Sequence, residues 1–136
     1  MGARTKARKR ALDVLYSADI RGIDLPTALT DEDVRVAGEA DRKVSWAYAA
    51  EIVQGVIDRG EEIDELITTY ARDWQLDRMP VVDRALLRLA TWEIAFNPDV
   101  PAAVAISEAV EQAQTLSTED SARFVNGVLG RIAAAL

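Results

Sequence analysis

At 136 residues, with 49% hydrophobic and 29% charged side chains, the chain has the size and composition of one globular domain that can bury about two-thirds of its unfolded surface. It carries 23 Asp/Glu against 16 Lys/Arg, a net charge of -7, and contains neither His nor Cys. Those absences exclude disulfides, zinc sites of the Cys/His type and Ser-His-Asp or Cys-His nucleophilic machinery; no apolar run approaches the roughly 20 residues that span a bilayer.

Taken in chain order, every periodic segment reads as helix, and no alternating β-branched run or hairpin signal appears. Thr5 is a candidate cap for a first helix to about Ile20, with Ala7, Ala11, Val14, Leu15 and Ala18 on one stripe and Gly22 ending it. A short second helix follows Pro26. Asp41 is the candidate cap of a third, in which Val44, Tyr48, Ile52 and Val56 recur at helical spacing until Gly60. Glu61 to Trp74 opens with acidic residues suited to a helix start and sets Ile63, Leu66, Ile67, Tyr70 and Trp74 on one face. Pro80 opens a fifth helix to about Phe96, Pro101 a sixth to about Leu116, and Ser117 with Asp120 reads as the capping box of a seventh, which carries Phe124, Val128, Leu129, Ile132 and Leu136. The fold class is therefore all-α: a compact single-domain bundle of about seven helices over residues 1–136.

The fifth helix, VVDRALLRLATWEIAF, is apolar on nearly all sides, with only Arg84, Arg88 and Thr91 forming a polar strip. Such a helix belongs at the centre of a bundle, enclosed by the others. Glu93 falls on its apolar side and so requires a partner, because an unpaired buried carboxylate is costly.

The two signs of charge are segregated. Residues 1–22 hold six Lys/Arg against two Asp, whereas the remaining 114 residues hold ten against 21. Five of the cations, Arg4, Lys6, Arg8, Lys9 and Arg10, fall within seven positions. Lys6, Lys9 and Arg10 point away from the apolar stripe of the first helix, but Arg4 and Arg8 lie beside it, where a core would reject them. Cations also oppose the dipole of a helix start. The expectation is a basic arm over about residues 1–10 that overhangs the bundle and stiffens on binding a polyanion. If all five cations reach phosphates of a single strand, the log-log salt slope is about -3.5. Tyr16 and Phe124 are aromatics that can stack on unpaired bases. The reading from another class is a helical interaction module that homodimerises through an apolar face around Trp46 or Trp74, its basic arm incidental.

Four stretches, RTKARKRALDVLY, VDRALLRLATWEI, VPAAVAISEAVE and EDSARFVNGVLG, occur in an order and spacing that resembles the bacterial transcription antitermination factors of the NusB family. The resemblance spans nearly the whole chain. It implies an all-helical fold and a non-catalytic adaptor that pairs with the ribosomal protein NusE, binds the boxA element of ribosomal RNA transcripts and joins an antitermination complex with RNA polymerase in the cytoplasm. It implies no enzyme activity, cofactor, metal or membrane. By this resemblance Arg4, Lys6, Arg8, Lys9 and Arg10 match the arginine-rich RNA-contacting segment, Tyr16, Arg88, Asp120, Arg123 and Phe124 match the RNA-facing surface, and Asp83 matches an acidic position near the NusE contact. Three positions depart from the family pattern: Ser107 replaces a frequent Asn, Gln114 a common basic residue and Gly130 a frequent Asp. Gln114 for a basic residue implies an RNA face less cationic than usual beyond the arm. The same fold also serves as the N-terminal module of a ribosomal RNA methyltransferase, but a chain ending at Leu136 is expected to be the free-standing factor.

Overall fold

Gly22 shows how local chemistry ends an element. In the computed structural model its φ is 66°, the left-handed region that glycine enters without strain, and the amides of Gly22 and Ile23 bond back to the Asp19 and Ala18 carbonyls at 3.3 and 2.9 Å. The structure describes residues 2–39, 43–72 and 74–136, with side chains described throughout except at Lys43 and Val44. Seven α-helices and one turn of 3-10 helix make up the described elements, with no strand among them. No helix among the described residues is long and apolar enough to cross a membrane.

The chain divides into two compact units, which meet in sequence between Asp58 and Arg59. The first contains α1 (Ala3–Arg21), α2 (Leu25–Ala37) and α3 (Lys43–Asp58). α1 packs chiefly on α3, and α2 lies against both. Ala7, Ala11, Leu12, Val14, Leu15 and Ala18 of α1 share this core with Ala49, Ile52, Val53 and Val56 of α3. Asp24, not anticipated as a cap, starts α2 by accepting a 2.8 Å bond from the Thr27 amide ahead of Pro26. The expected Asp41 cap lies outside the described residues.

In the second unit α4 (Gly60–Tyr70) and the turn Leu76–Arg78 precede α5 (Val81–Phe96), α6 (Ala102–Leu116) and α7 (Glu119–Ala135). α4 stops at Tyr70, short of the expected Trp74, and the Arg131 guanidinium donates twice to the Tyr70 carbonyl, at 3.0 and 2.8 Å, satisfying an acceptor left open at the helix end. α5 is packed by α4, α6 and α7. Within it Ala85, Leu86, Leu87, Leu89, Ala90 and Trp92 are buried together with Thr91 and Glu93. Glu93 is partnered, as its place on the apolar side required. Thr91, expected on a polar strip, is fully buried instead, and Arg84 turns to the Leu76 carbonyl at 3.0 Å, which holds the 3-10 turn. Thr118 rather than Ser117 caps α7, accepting a 3.1 Å bond from the Ser121 amide.

Candidate nucleic-acid interface

The cationic start of the chain is helix, not an overhanging arm. α1 runs from Ala3, so Arg4, Lys6, Arg8, Lys9 and Arg10 all lie on regular backbone. They divide by direction. Arg8 is only 5% exposed, and its guanidinium sits 6.0 Å from the centre of the Tyr48 ring on α3; Arg4, one turn earlier and exposed, stacks on the same ring at 4.5 Å. The sequence reading placed both residues correctly beside the apolar stripe but supplied no group there to receive them. An aromatic face does receive them, by cation-π attraction that strengthens as water is excluded. Arg10 is pinned as well, donating to the Ser45 hydroxyl at 2.9 Å and lying 5.6 Å over the Trp46 ring. Lys6 is exposed and Lys9 half-buried on the opposite side of the helix.

Lys6, Lys9 and Arg10 line a groove of about 650 Å3 between α1 and α2, which also receives Arg21 and Arg35 and the acids Asp13, Asp31 and Glu32. Burial and the nearby Glu32 push the Asp13 carboxyl above the ordinary range, and Arg10 pulls it partly back. The groove therefore loses negative charge as pH falls. Tyr16 is 43% exposed and Ile20, one turn on, is exposed as well.

In the second unit the remaining candidates have unequal access. Arg88 is forked onto Asp64 at 2.9 and 3.1 Å, so its charge is already matched. Arg123 is exposed and paired with exposed Asp120 one turn earlier. Phe124 packs at 5.2 Å against Trp74, which is 45% exposed. Trp46 is buried and its indole donates to Asp33 at 2.7 Å, so the apolar surface around it is consumed inside the first unit and offers no self-association face. Asp83 has no accessible surface, so any part it takes near a partner contact runs through the residues that cover it. It sits in the first turn of α5, where a negative charge suits the helix dipole. The hydroxyls of Ser121 and Ser117 approach it, though neither carboxyl oxygen has a hydrogen bond of normal geometry.

The arrangement can hold a polyanion along α1, and comparison with known proteins decides the family. The model of the NusB family matches residues 5–134. The chain belongs to the NusB family. It is 63% identical over 135 residues to the transcription antitermination protein NusB of Clavibacter sepedonicus, covering 99% of this chain and 98% of that one. Among solved structures it is similar to Thermotoga maritima NusB, with a TM-score of 0.83 at 36% identity over 96% of this chain and 90% of that chain. It is also similar to a chain in a crystal structure of the antitermination factors NusB and NusE with double-stranded RNA, with a TM-score of 0.85 at 32% identity, covering 100% and 99%.

The sequence does not single out Ser45, and it reads Trp46 as a candidate association face and Tyr48 as core rather than as partners of the α1 arginines. Tyr48 falls on the apolar stripe of α3 and reads as core; only the packing of α1 on α3 shows that its ring faces arginines. The buried Asp83 yields a prediction. Desolvation raises its pKa above 3.8, with Ser121 and Ser117 opposing in part. The folded state then binds this proton more tightly than the unfolded chain, so the cost of the charged form is fully present above the raised value and fades as pH falls through it. Asp83→Asn should raise the melting temperature at pH 7, and its advantage over wild type should shrink on acidification towards pH 4. Thermal melts of both proteins across that range check it; a variant less stable at neutral pH would mean that the helix dipole or the serines outweigh desolvation.

Proposed function

We propose that this chain is a transcription antitermination factor that works as a non-catalytic RNA-binding adaptor in the cytoplasm. Together with NusE it binds single-stranded boxA RNA of ribosomal RNA transcripts and helps RNA polymerase read through terminators. Membership of the NusB family supports the class of activity. The observation that carries the RNA contact is the outward cationic edge of α1, in which Lys6 is exposed and Lys9 lies beside Arg10 along the groove, on a chain of net charge -7. An acidic body repels polyanions elsewhere and confines phosphate contact to that edge. The whole chain then serves as one RNA-binding module. The reading also assigns base stacking to Tyr16 and Phe124 and contacts near the RNA to Arg88, Asp120 and Arg123; the exposure of Tyr16 and Arg123 supports those two assignments.

Burial of Arg8, stacking of Arg4 on Tyr48 and pinning of Arg10 leave Lys6 and Lys9 as the cations of this segment turned outward to phosphate. The log-log salt slope contributed by this segment should therefore be about -1.4, at about 0.7 per single-strand contact. A titration with boxA-like RNA and a scrambled control, with and without NusE and over 50 to 200 mM salt, tests the reading. Preference for boxA in the presence of NusE is the expected result. Equal affinity for both RNAs would remove the boxA assignment, and a flat salt response would remove the α1 edge from the contact.

A further inference from the structure

The first two turns of α1 are made mostly of helix-favouring Ala, Arg and Lys, but their open end lacks every usual stabiliser. Gly2 at the N-cap offers no side-chain cap, the first turn has no acidic residue, and five cations crowd the positive end of the helix dipole. The backbone is nevertheless regular from Ala3, and the Lys6 amide bonds to the Gly2 carbonyl at 3.1 Å. What opposes fraying is tertiary. Ala7 and Arg8 are buried against the first unit, Arg4 and Arg8 share the Tyr48 ring at 4.5 and 6.0 Å, and Arg10 is held by Ser45 and Trp46. Trp46 is fixed in turn from α2 by Asp33.

We infer that Tyr48, backed by Ser45 and Trp46, is a positioning residue for RNA binding: its ring captures Arg4 and Arg8 and thereby holds the uncapped cationic segment as helix, with Lys6 and Lys9 presented at fixed spacing. The inference rests on the RNA-binding reading above. Tyr48 itself touches no RNA. One part of the arginine-rich segment is thus an anchor turned to the protein, and the other is the contact turned outward. Side chains three apart on a helix share one face, so Lys6 and Lys9 match successive phosphates only while the segment stays helical.

Hydrogen exchange of the free full-length protein, read beside RNA titrations, tests this. Tyr48→Leu should speed exchange at the amides of residues 6–11 while those of Ile52, Val53 and α5 keep their protection. RNA affinity should fall about five- to tenfold, as expected when the binding-competent segment is ordered only a fraction of the time. The salt slope should stay that of wild type, because the same phosphates are reached once the helix forms. Tyr48→Phe, which keeps the ring, should restore both exchange and affinity. Should Tyr48→Leu fold poorly, Arg8→Met removes the guanidinium but keeps an apolar stem, and should give the same local opening and weakened binding. Wild-type exchange and affinity in both Tyr48→Leu and Arg8→Met would overturn the inference and leave RNA binding intact. A shallower slope in Tyr48→Leu would also overturn it, since the ring would then be setting the number of contacts. If wild type itself binds no RNA, the functional reading fails and the inference falls with it, although the exchange pattern would still be seen.

Discussion

Leu87→Ala should lower the free energy of unfolding by about 3 kcal/mol, within the range of 2 to 5 for a Leu truncated in a core that cannot collapse. Leu87 is fully buried at the middle of α5, the helix packed by α4, α6 and α7, and its unit also buries Ile63, Ile67, Val125, Val128, Leu129 and Ile132 completely. With α5 packed by three helices, a cavity at a fully buried Leu has little freedom to collapse. Set against a total stability of about 5 to 15 kcal/mol for a domain, the loss is large, and it corresponds to a fall in melting temperature of about 10 °C for a chain of this length. Ile20→Ala is the control, because that side chain is 57% exposed and its removal should cost under about 0.5 kcal/mol. Denaturant titrations of the two variants decide the matter: equal costs would show that α5 is not the packed centre of its unit.

The second large effect concerns binding. Charge reversal of the outward lysines, Lys6→Glu with Lys9→Glu, should weaken RNA binding by about 15-fold at 0.15 M salt from two lost phosphate contacts alone, and repulsion by the new carboxylates should take it towards 100-fold. The log-log salt slope should become shallower by at least about 1.4. Stability should hardly change, because Lys6 is exposed and Lys9 half-buried, and two acids in the first turns suit the helix dipole better than two cations. The same reversal at Arg8 would act differently. It would place a carboxylate in a 5% exposed site against an aromatic ring and damage the fold before it damaged the interface. Measuring affinity and melting temperature together for the two variants separates contact from anchor. Unchanged RNA affinity in the double lysine variant would exclude the outward edge of α1 as the binding surface.

The amino-acid order by itself determined the helices and their approximate ends, because the 3.6-residue recurrence of apolar side chains, the prolines at helix starts and Gly22 act over one or two turns of chain. It also determined that α5 is buried and that Glu93 needs a partner, since a helix apolar around its circumference leaves no other solution. Family membership was legible in four stretches of sequence. The tertiary structure decided what each charged side chain meets. Arg4 and Arg8 beside the apolar stripe are admissible because the Tyr48 ring of α3 receives them; Arg88 of the polar strip is matched by Asp64; Asp83, in the first turn of α5, is buried. Periodicity along one helix says which side a residue faces and nothing about the residue opposite. A cation's role turns on that opposite residue, so the same seven positions could be read as an arm from sequence and divide in space into an anchor and an interface.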